Sequence, residues 1–201
     1  GFQGGDATVH AGLDALFPRG YRIRLNQAVR KIEHREDTVV VTTDRDTYRA
    51  KAVICTVPLT VLKSDRMEFV PPLDDSRKAA IGRLGFGKLE KIVLSFPKRF
   101  WPDDSDLFGV MGGDKVWSEW VDYTEVLGVP TLIGFTAGLK AEAVATLLKK
   151  DVVAAALKEL AVVFGEIPDP DVAHVTDWGT NPLYLGAYTT YAVGSGPDDV
   201  A

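Results

Sequence analysis

Leu84-Gly85-Phe86-Gly87-Lys88-Leu89-Glu90-Lys91-Ile92-Val93-Leu94-Ser95-Phe96 is the stretch on which the fold turns. It opens like the glycine fingerprint of a dinucleotide-binding turn, but Glu90 stands where the third glycine belongs, and a strand follows rather than a helix. It is therefore no phosphate loop. From Leu89 to Phe96 the residues read as a strand whose faces alternate, so that Leu89, Lys91 and Val93 share one side.

Upstream, Tyr21-Arg22-Ile23-Arg24-Leu25, Ala28 to Glu33, Thr38 to Thr43 and Thr47 to Ala50 alternate as strands separated by the polar turns Arg35-Glu36-Asp37 and Asp44-Arg45-Asp46. This predicts an antiparallel meander, closed by a buried strand at Ala52-Val53-Ile54-Cys55-Thr56-Val57 that Pro58 stops. Pro71-Pro72-Leu73 leads to a short helix capped by Asp74 or Asp75 and running to about Leu84, with Gly85 where a left-handed C-terminal residue is wanted. Downstream, Trp117 to Val121 and Thr131 to Phe135 read as strands. Val152, Val153, Ala156, Leu157, Leu160, Val163 and Phe164 line one face of a long helix ended by Gly165 and Pro168. His174 to Trp178 and Ala187 to Tyr191 are the last strands, and Gly194 to Asp199 is loop. Many strands with two clear helices predict an α+β fold.

Composition narrows the function. Hydrophobic residues make up 46% and charged residues 25% of the 201, mean hydropathy is +0.01, and no apolar run approaches the roughly 20 residues a membrane span needs. Lys and Arg total 23 against 28 Asp and Glu, a net charge of −5, which argues against a nucleic-acid partner because that binding is driven by phosphate neutralisation. The expectation is a soluble, cytoplasmic protein with neither nucleic acid nor membrane as partner. Cys55 is the single cysteine, so no internal disulfide forms, and its apolar neighbours predict a small buried hydrophobe. His10, His34 and His174 are too far apart to suggest a metal site. Gly1-Phe2-Gln3-Gly4-Gly5 is no signal peptide and reads as the start of an excised piece. Gly194-Ser195-Gly196 lacks the spacing of a nucleophile elbow, and no histidine follows it.

Several segments, in order, carry a resemblance. Leu25-Asn26-Gln27-Ala28-Val29-Arg30-Lys31-Ile32-Glu33, Ala52 to Leu62, Phe69-Val70-Pro71-Pro72-Leu73, the stretch Leu84 to Leu94 with Phe100-Trp101 behind it, Trp178-Gly179-Thr180-Asn181-Pro182 and Gly186-Ala187-Tyr188-Thr189-Thr190-Tyr191 together resemble the flavin-containing amine oxidase family, which includes monoamine and polyamine oxidases and the lysine-specific histone demethylase. The likeness runs from about Leu25 to Tyr191.

The resemblance implies a partial FAD-binding segment over 1–62 that carries the meander, a mixed-sheet substrate-binding domain with flanking helices over 63–192, and a tail over 193–201. It implies that the backbone of Val29 contacts the adenine end of FAD, with a strand valine packed in the meander as the alternative, and that the strand end Thr56, Val57 and Pro58 passes near the cofactor. Lys91 is implied as the catalytic lysine that hydrogen-bonds a water beside flavin N5. A solvated strand lysine is the alternative, and Lys88 is the fallback one pleat out of phase. Tyr188 is implied as one wall of an aromatic cage before the flavin and Trp178 as packing near the ring, with ordinary core packing the alternative for both; Tyr191 is the other candidate for the packed tyrosine. Ala187 stands where monoamine oxidases carry the cysteine that bonds the flavin, so FAD is expected to be noncovalent.

The implied reaction passes hydride from the carbon beside an amine nitrogen to the flavin; the imine is then hydrolysed and hydrogen peroxide released. The substrate is a small-molecule amine, and the remaining FAD-domain segments of the same chain are the structural partners. With the family's glycine-rich fingerprint and C-terminal Gly-Glu segment outside this sequence, the chain alone is expected to hold FAD poorly and to be inactive. A desaturase-like or protoporphyrinogen-oxidase-like flavoenzyme and a non-catalytic interaction module are the alternatives. The sequence does not identify the amine.

Overall fold

A computed structural model describes residues 22–111 and 115–200. His10, the Gly1–Gly5 segment and Tyr21 lie outside them. The chain divides into two compact units, one formed by residues 1–54 and 67–72 and the other by residues 55–66 and 73–201. Among the described residues no helix is long and apolar enough to cross a membrane.

The first unit contains the meander. Its strands β1 (Val29–His34), β2 (Val39–Thr43) and β3 (Thr47–Ala50) pair antiparallel in sequence order. β4 (Glu68–Val70) then returns to pair parallel with β1, giving the order β3-β2-β1-β4. Two expectations fail here. Arg22 to Leu25 forms no strand, and the apolar run Ala52 to Val57 is not a ladder strand at all. Such a run reads as a strand buried on both faces, but it finds no strand partner among the described residues, and Ile54 is 90% exposed. Cys55 is correspondingly exposed, not buried.

The second unit holds a five-stranded sheet in the order β10-β6-β9-β8-β7, every neighbouring pair antiparallel. The strands are β6 (Leu89–Ser95), β7 (Leu107–Gly109), β8 (Glu119–Asp122), β9 (Thr131–Ala137) and β10 (Val172–Val175). Alternation along β6 sends Glu90, Ile92 and Leu94 into the core and leaves Leu89, Lys91 and Val93 half-buried on the other face. The register lines up Val175, Ile92, Gly134, Trp120 and Phe108 across the sheet. Gly134 belongs in that row because a Cβ there would lie 2.9 Å from both Ile92 Cγ2 and Trp120 Cζ3.

Among the described residues the α-helices are α1 (Leu59–Leu62), α2 (Asp75–Arg83), α3 (Thr124–Leu127), α4 (Gly138–Ala145) and α5 (Lys149–Phe164). α5 covers the buried face with Val152, Ala156 and Leu160, one residue every four and therefore one stripe. Val163, expected on that stripe, is 48% exposed. Gly165 ends the helix at φ 78, as the sequence suggested. Glu159 on α5 accepts from the backbone N–H of Val116 at 2.9 Å and of Trp117 at 3.0 Å, which ties the helix to the approach to β8. Asp74 caps α2 by accepting from Arg77 N at 2.9 Å. Gly85 does not terminate α2 in a left-handed conformation: it begins β5 (Gly85–Gly87), which pairs antiparallel with β11 (Tyr188–Thr190). The α+β class holds, with three sheets among the described residues and one long helix, α5, beside shorter ones.

Candidate functional site

A cavity of about 660 Å³ lies within the second unit. Its floor is the half-buried face of β6 and β9, where Leu89, Lys91 and Phe135 stand together because Lys91 is in register with Phe135. The opposite walls come from β5, the N-terminus of α1 and the segment 178–189. Of the residues singled out from sequence, Lys91, Trp178, Tyr188 and Pro58 all line this one cavity. Thr56 is exposed and does not line it, whereas its neighbour Val57 does. Val29 sits on β1 in the first unit. Lys88 donates to Gly179 O at 3.4 Å and Tyr191 is 61% exposed; neither is a lining residue.

Lys91 is the one charged side chain among the described lining residues. Its ammonium has no carboxylate partner among them, and it lies 5.3 Å from the centroid of the Phe135 ring, a cation–π contact. The backbone of Lys91 is fixed on both sides by Thr176, whose hydroxyl accepts from Lys91 N at 2.8 Å and whose N–H donates to Lys91 O at 3.0 Å. The cation therefore stands on a rigid strand.

The walls are built from rings laid on glycines. Tyr188 faces Gly87 across the β5–β11 pair, and a Cβ on Gly87 would lie 2.9 Å from the Tyr188 ring. Gly186 does the same for Phe86, whose ring carbon would meet a Cβ at 2.3 Å. Gly87 and Gly186 thus serve close ring-on-backbone packing, whereas a Cβ on Gly85 would meet the Thr190 side chain. Trp178 meets Tyr184 edge to face, with centroids 4.8 Å apart. The 180–185 segment is held to the α1 region by Thr60, which donates to Tyr184 O, and by Arg66, which donates to Pro182 O at 2.6 Å.

Sequence reasoning missed Phe86, Phe135 and Tyr184 as wall residues and passed over Glu90. A lone aromatic carries no signal of this kind until strand register is known. Alternation along Thr131 to Phe135 separates Phe135 from Leu132 and Gly134, but only the pairing with β6 places it beside Lys91. The cavity is thus walled by rings and apolar side chains, with the Lys91 ammonium the one charged group among the described lining residues.

Comparison with known proteins agrees. The sequence model of the family described as flavin containing amine oxidoreductase matches residues 1–201. The chain is 38% identical over 209 residues to lysine-specific histone demethylase 1 homolog 1 of Oryza sativa subsp. japonica, covering 98% of this chain and 25% of that protein. It is 35% identical over 185 residues to Protein FLOWERING LOCUS D of Arabidopsis thaliana, covering 88% and 23%. Among solved structures it is similar to wild-type putrescine oxidase bound to putrescine, with a TM-score of 0.73 and 28% identity over 89% of this chain and 40% of that one. The chain spans about a quarter of the length of these curated relatives. With the match running the whole length of the sequence, the chain belongs to the flavin-containing amine oxidoreductase family.

Proposed function

We propose that this chain supplies the amine-facing wall of an FAD-dependent amine oxidase. The observation that carries the reading is the convergence of Lys91, Trp178 and Tyr188 on one cavity. FAD, when bound, would supply the two-electron oxidant for the carbon beside the amine nitrogen, with oxygen as the final acceptor and hydrogen peroxide as the by-product. The residues of the chain do the rest. The rings of Trp178, Tyr188 and Phe135 line the space that takes the apolar substituent of the amine. The Lys91 ammonium disfavours a second cation beside it, so the amine enters uncharged. With no carboxylate among the described lining residues to claim it, the same ammonium holds the water that hydrolyses the imine. Lys91 is thus the catalytic residue, and Trp178 and Tyr188 bind substrate. Pro58 and Thr56 border the cofactor, with Val29 at its adenine end. In this assignment residues 1–62 belong to the FAD-binding domain and 63–192 to the substrate domain, and FAD is held noncovalently.

A second substrate reading, a methylated lysine on a histone tail, is favoured by the histone demethylase names of the plant relatives. Both readings are tested by mixing the intact protein anaerobically with primary amines, polyamines, amino acids and a methyl-lysine histone peptide while following the visible flavin bands. Bleaching by one class is the expected result and names the substrate. Flavin bands that no amine bleaches would sink the proposal in favour of a desaturase-like enzyme, and a protein without flavin bands would point to an interaction module.

A further inference from the structure

Glu90 is 1% exposed and has no cationic partner among the described residues. A carboxylate in that position is costly to bury unless hydrogen bonds replace its water. Its cross-strand neighbour Thr136 supplies none, since the Thr136 hydroxyl makes no hydrogen bond. All its donors come from one short turn. Gly179 N donates to Oε1 at 2.7 Å, Trp178 N donates to Oε2 at 3.2 Å, and the Thr176 hydroxyl donates to Oε2.

The turn is shaped for this. Thr180 and Asn181 both spend their N–H groups on Asp177 O, which leaves the amides of Trp178 and Gly179 pointing together at the carboxylate, the arrangement that binds anions at helix N-termini and backbone nests. Residue 179 approaches Glu90 so closely that a Cβ there would sit 3.2 Å from Oε1. Thr176 then extends the connection, because the hydroxyl that donates to Glu90 also accepts from Lys91 N at 2.8 Å. One carboxylate is therefore bonded on one side to the backbone that carries Trp178 and, through one hydroxyl, to the backbone that carries Lys91.

We infer that Glu90 is a positioning residue of the amine site, fixing Lys91 and Trp178 relative to each other by accepting from Thr176, Trp178 and Gly179. The functional part of this inference rests on the reading of the cavity as an amine site; the structural part does not. A glutamine of the same size keeps one acceptor for Gly179 but turns an NH2 group toward Trp178 N, donor against donor, so it frees the turn without opening a void.

The experiment uses the intact protein labelled with 15N-glycine, as wild type, Glu90→Gln, Thr176→Val and Thr176→Ser. Two quantities are read: the chemical shift of the Gly179 amide proton, and the limiting rate of flavin bleaching at saturating amine. Glu90→Gln is expected to move the amide proton upfield, out of the range of carboxylate-bonded amides, and to slow bleaching about tenfold or more, since small misplacements of binding groups cost that much. Thr176→Ser should stay within about twofold of wild type on both readouts, because the hydroxyl is kept. If Glu90→Gln lowers the melting temperature yet leaves the Gly179 shift and the bleaching rate at wild-type values, the inference is overturned. If Glu90→Gln does not fold, Thr176→Val decides: slower bleaching with an unmoved Gly179 amide supports the link to Lys91, and wild-type bleaching refutes it. A wild-type protein that no amine bleaches would count against the proposed function, while the Gly179 shift would still decide the role of Glu90 in the turn.

Discussion

Exchanging Asp122 for asparagine removes a charge from a buried corner of the second unit with almost no change in volume. The Asp122 side chain is 5% exposed and takes Arg99 Nη2 at 2.6 Å, Trp101 Nε1 at 2.8 Å, Thr124 N at 2.8 Å and the Thr124 hydroxyl. Asparagine keeps one oxygen for Thr124 but presents an NH2 group to the indole and the guanidinium. Hydrogen bonds to charged groups are worth about 1.5–3 kcal/mol each, and breaking a buried ion pair costs about 3–5 kcal/mol. Arg99 softens that loss, because its side chain is 26% exposed and also reaches Asp103 at 3.1 Å. The expected destabilisation is about 2–3 kcal/mol at pH 7. Urea unfolding followed by tryptophan fluorescence reads it directly, since Trp101, Trp117 and Trp120 all lie in this core. Acid supplies the control. Burial pushes the Asp122 carboxyl up, but bonds from Thr124 and Trp101 and the charge of Arg99 outweigh it and hold the carboxyl below its ordinary value. A depressed folded-state value gives stability that is fully present above the unfolded-state value, about 3.9, and is lost as pH falls through the folded one. The gap between wild type and Asp122→Asn should therefore be widest near neutrality and close in strong acid, where protonated aspartic acid resembles asparagine. A gap under about 0.5 kcal/mol at pH 7, or one unchanged at low pH, would refute the reasoning.

Three further outcomes are expected. Gly134→Val drives a branched side chain between Ile92 and Trp120 and should cost about 1–3 kcal/mol, seen as a lower urea midpoint with unchanged slope. Gly186→Ala meets both a backbone at φ 155 and the Phe86 ring at 2.3 Å, so the ring or the wall must move; amine affinity, read from the concentration dependence of flavin bleaching, should weaken while global stability changes less than in Gly134→Val. Lys91→Met keeps most of the hydrocarbon on the Phe135 ring but removes the charge, and should slow turnover under air about tenfold or more while leaving the flavin spectrum in place. Equal turnover in that variant would remove Lys91 from the mechanism.

How far the sequence carried depended on whether the signal was local. The stripe of α5 and the alternation of β6 were readable because each element's period is set by its own backbone. α4 was not, since its Gly138 start carries no capping side chain and only Ala141 and Val144 are buried. The run Ala52 to Val57 has a strand's composition, but a strand needs a neighbour, and pairing is a non-local fact. Lys91, Trp178 and Tyr188 came from the family resemblance. Their meeting on one cavity depends on the β6–β9 register, the β5–β11 pairing and the turn at 177–181, none of which is written in any one segment.

The first unit is assembled from two separate stretches of chain, because β4 at residues 68–70 comes back to β1 after residues 55–66 have already joined the other unit. The polypeptide therefore crosses between the units three times, near residues 54, 66 and 72. No single cut yields two intact halves. A gene fragment ending at residue 54 strips β1 of its parallel neighbour, and one beginning at residue 73 discards Val57, Pro58 and Leu59 from the cavity wall. Anyone dissecting this protein must either keep all three crossings or splice residue 54 directly to 67, and during synthesis the first sheet cannot be completed until part of the second unit has left the ribosome.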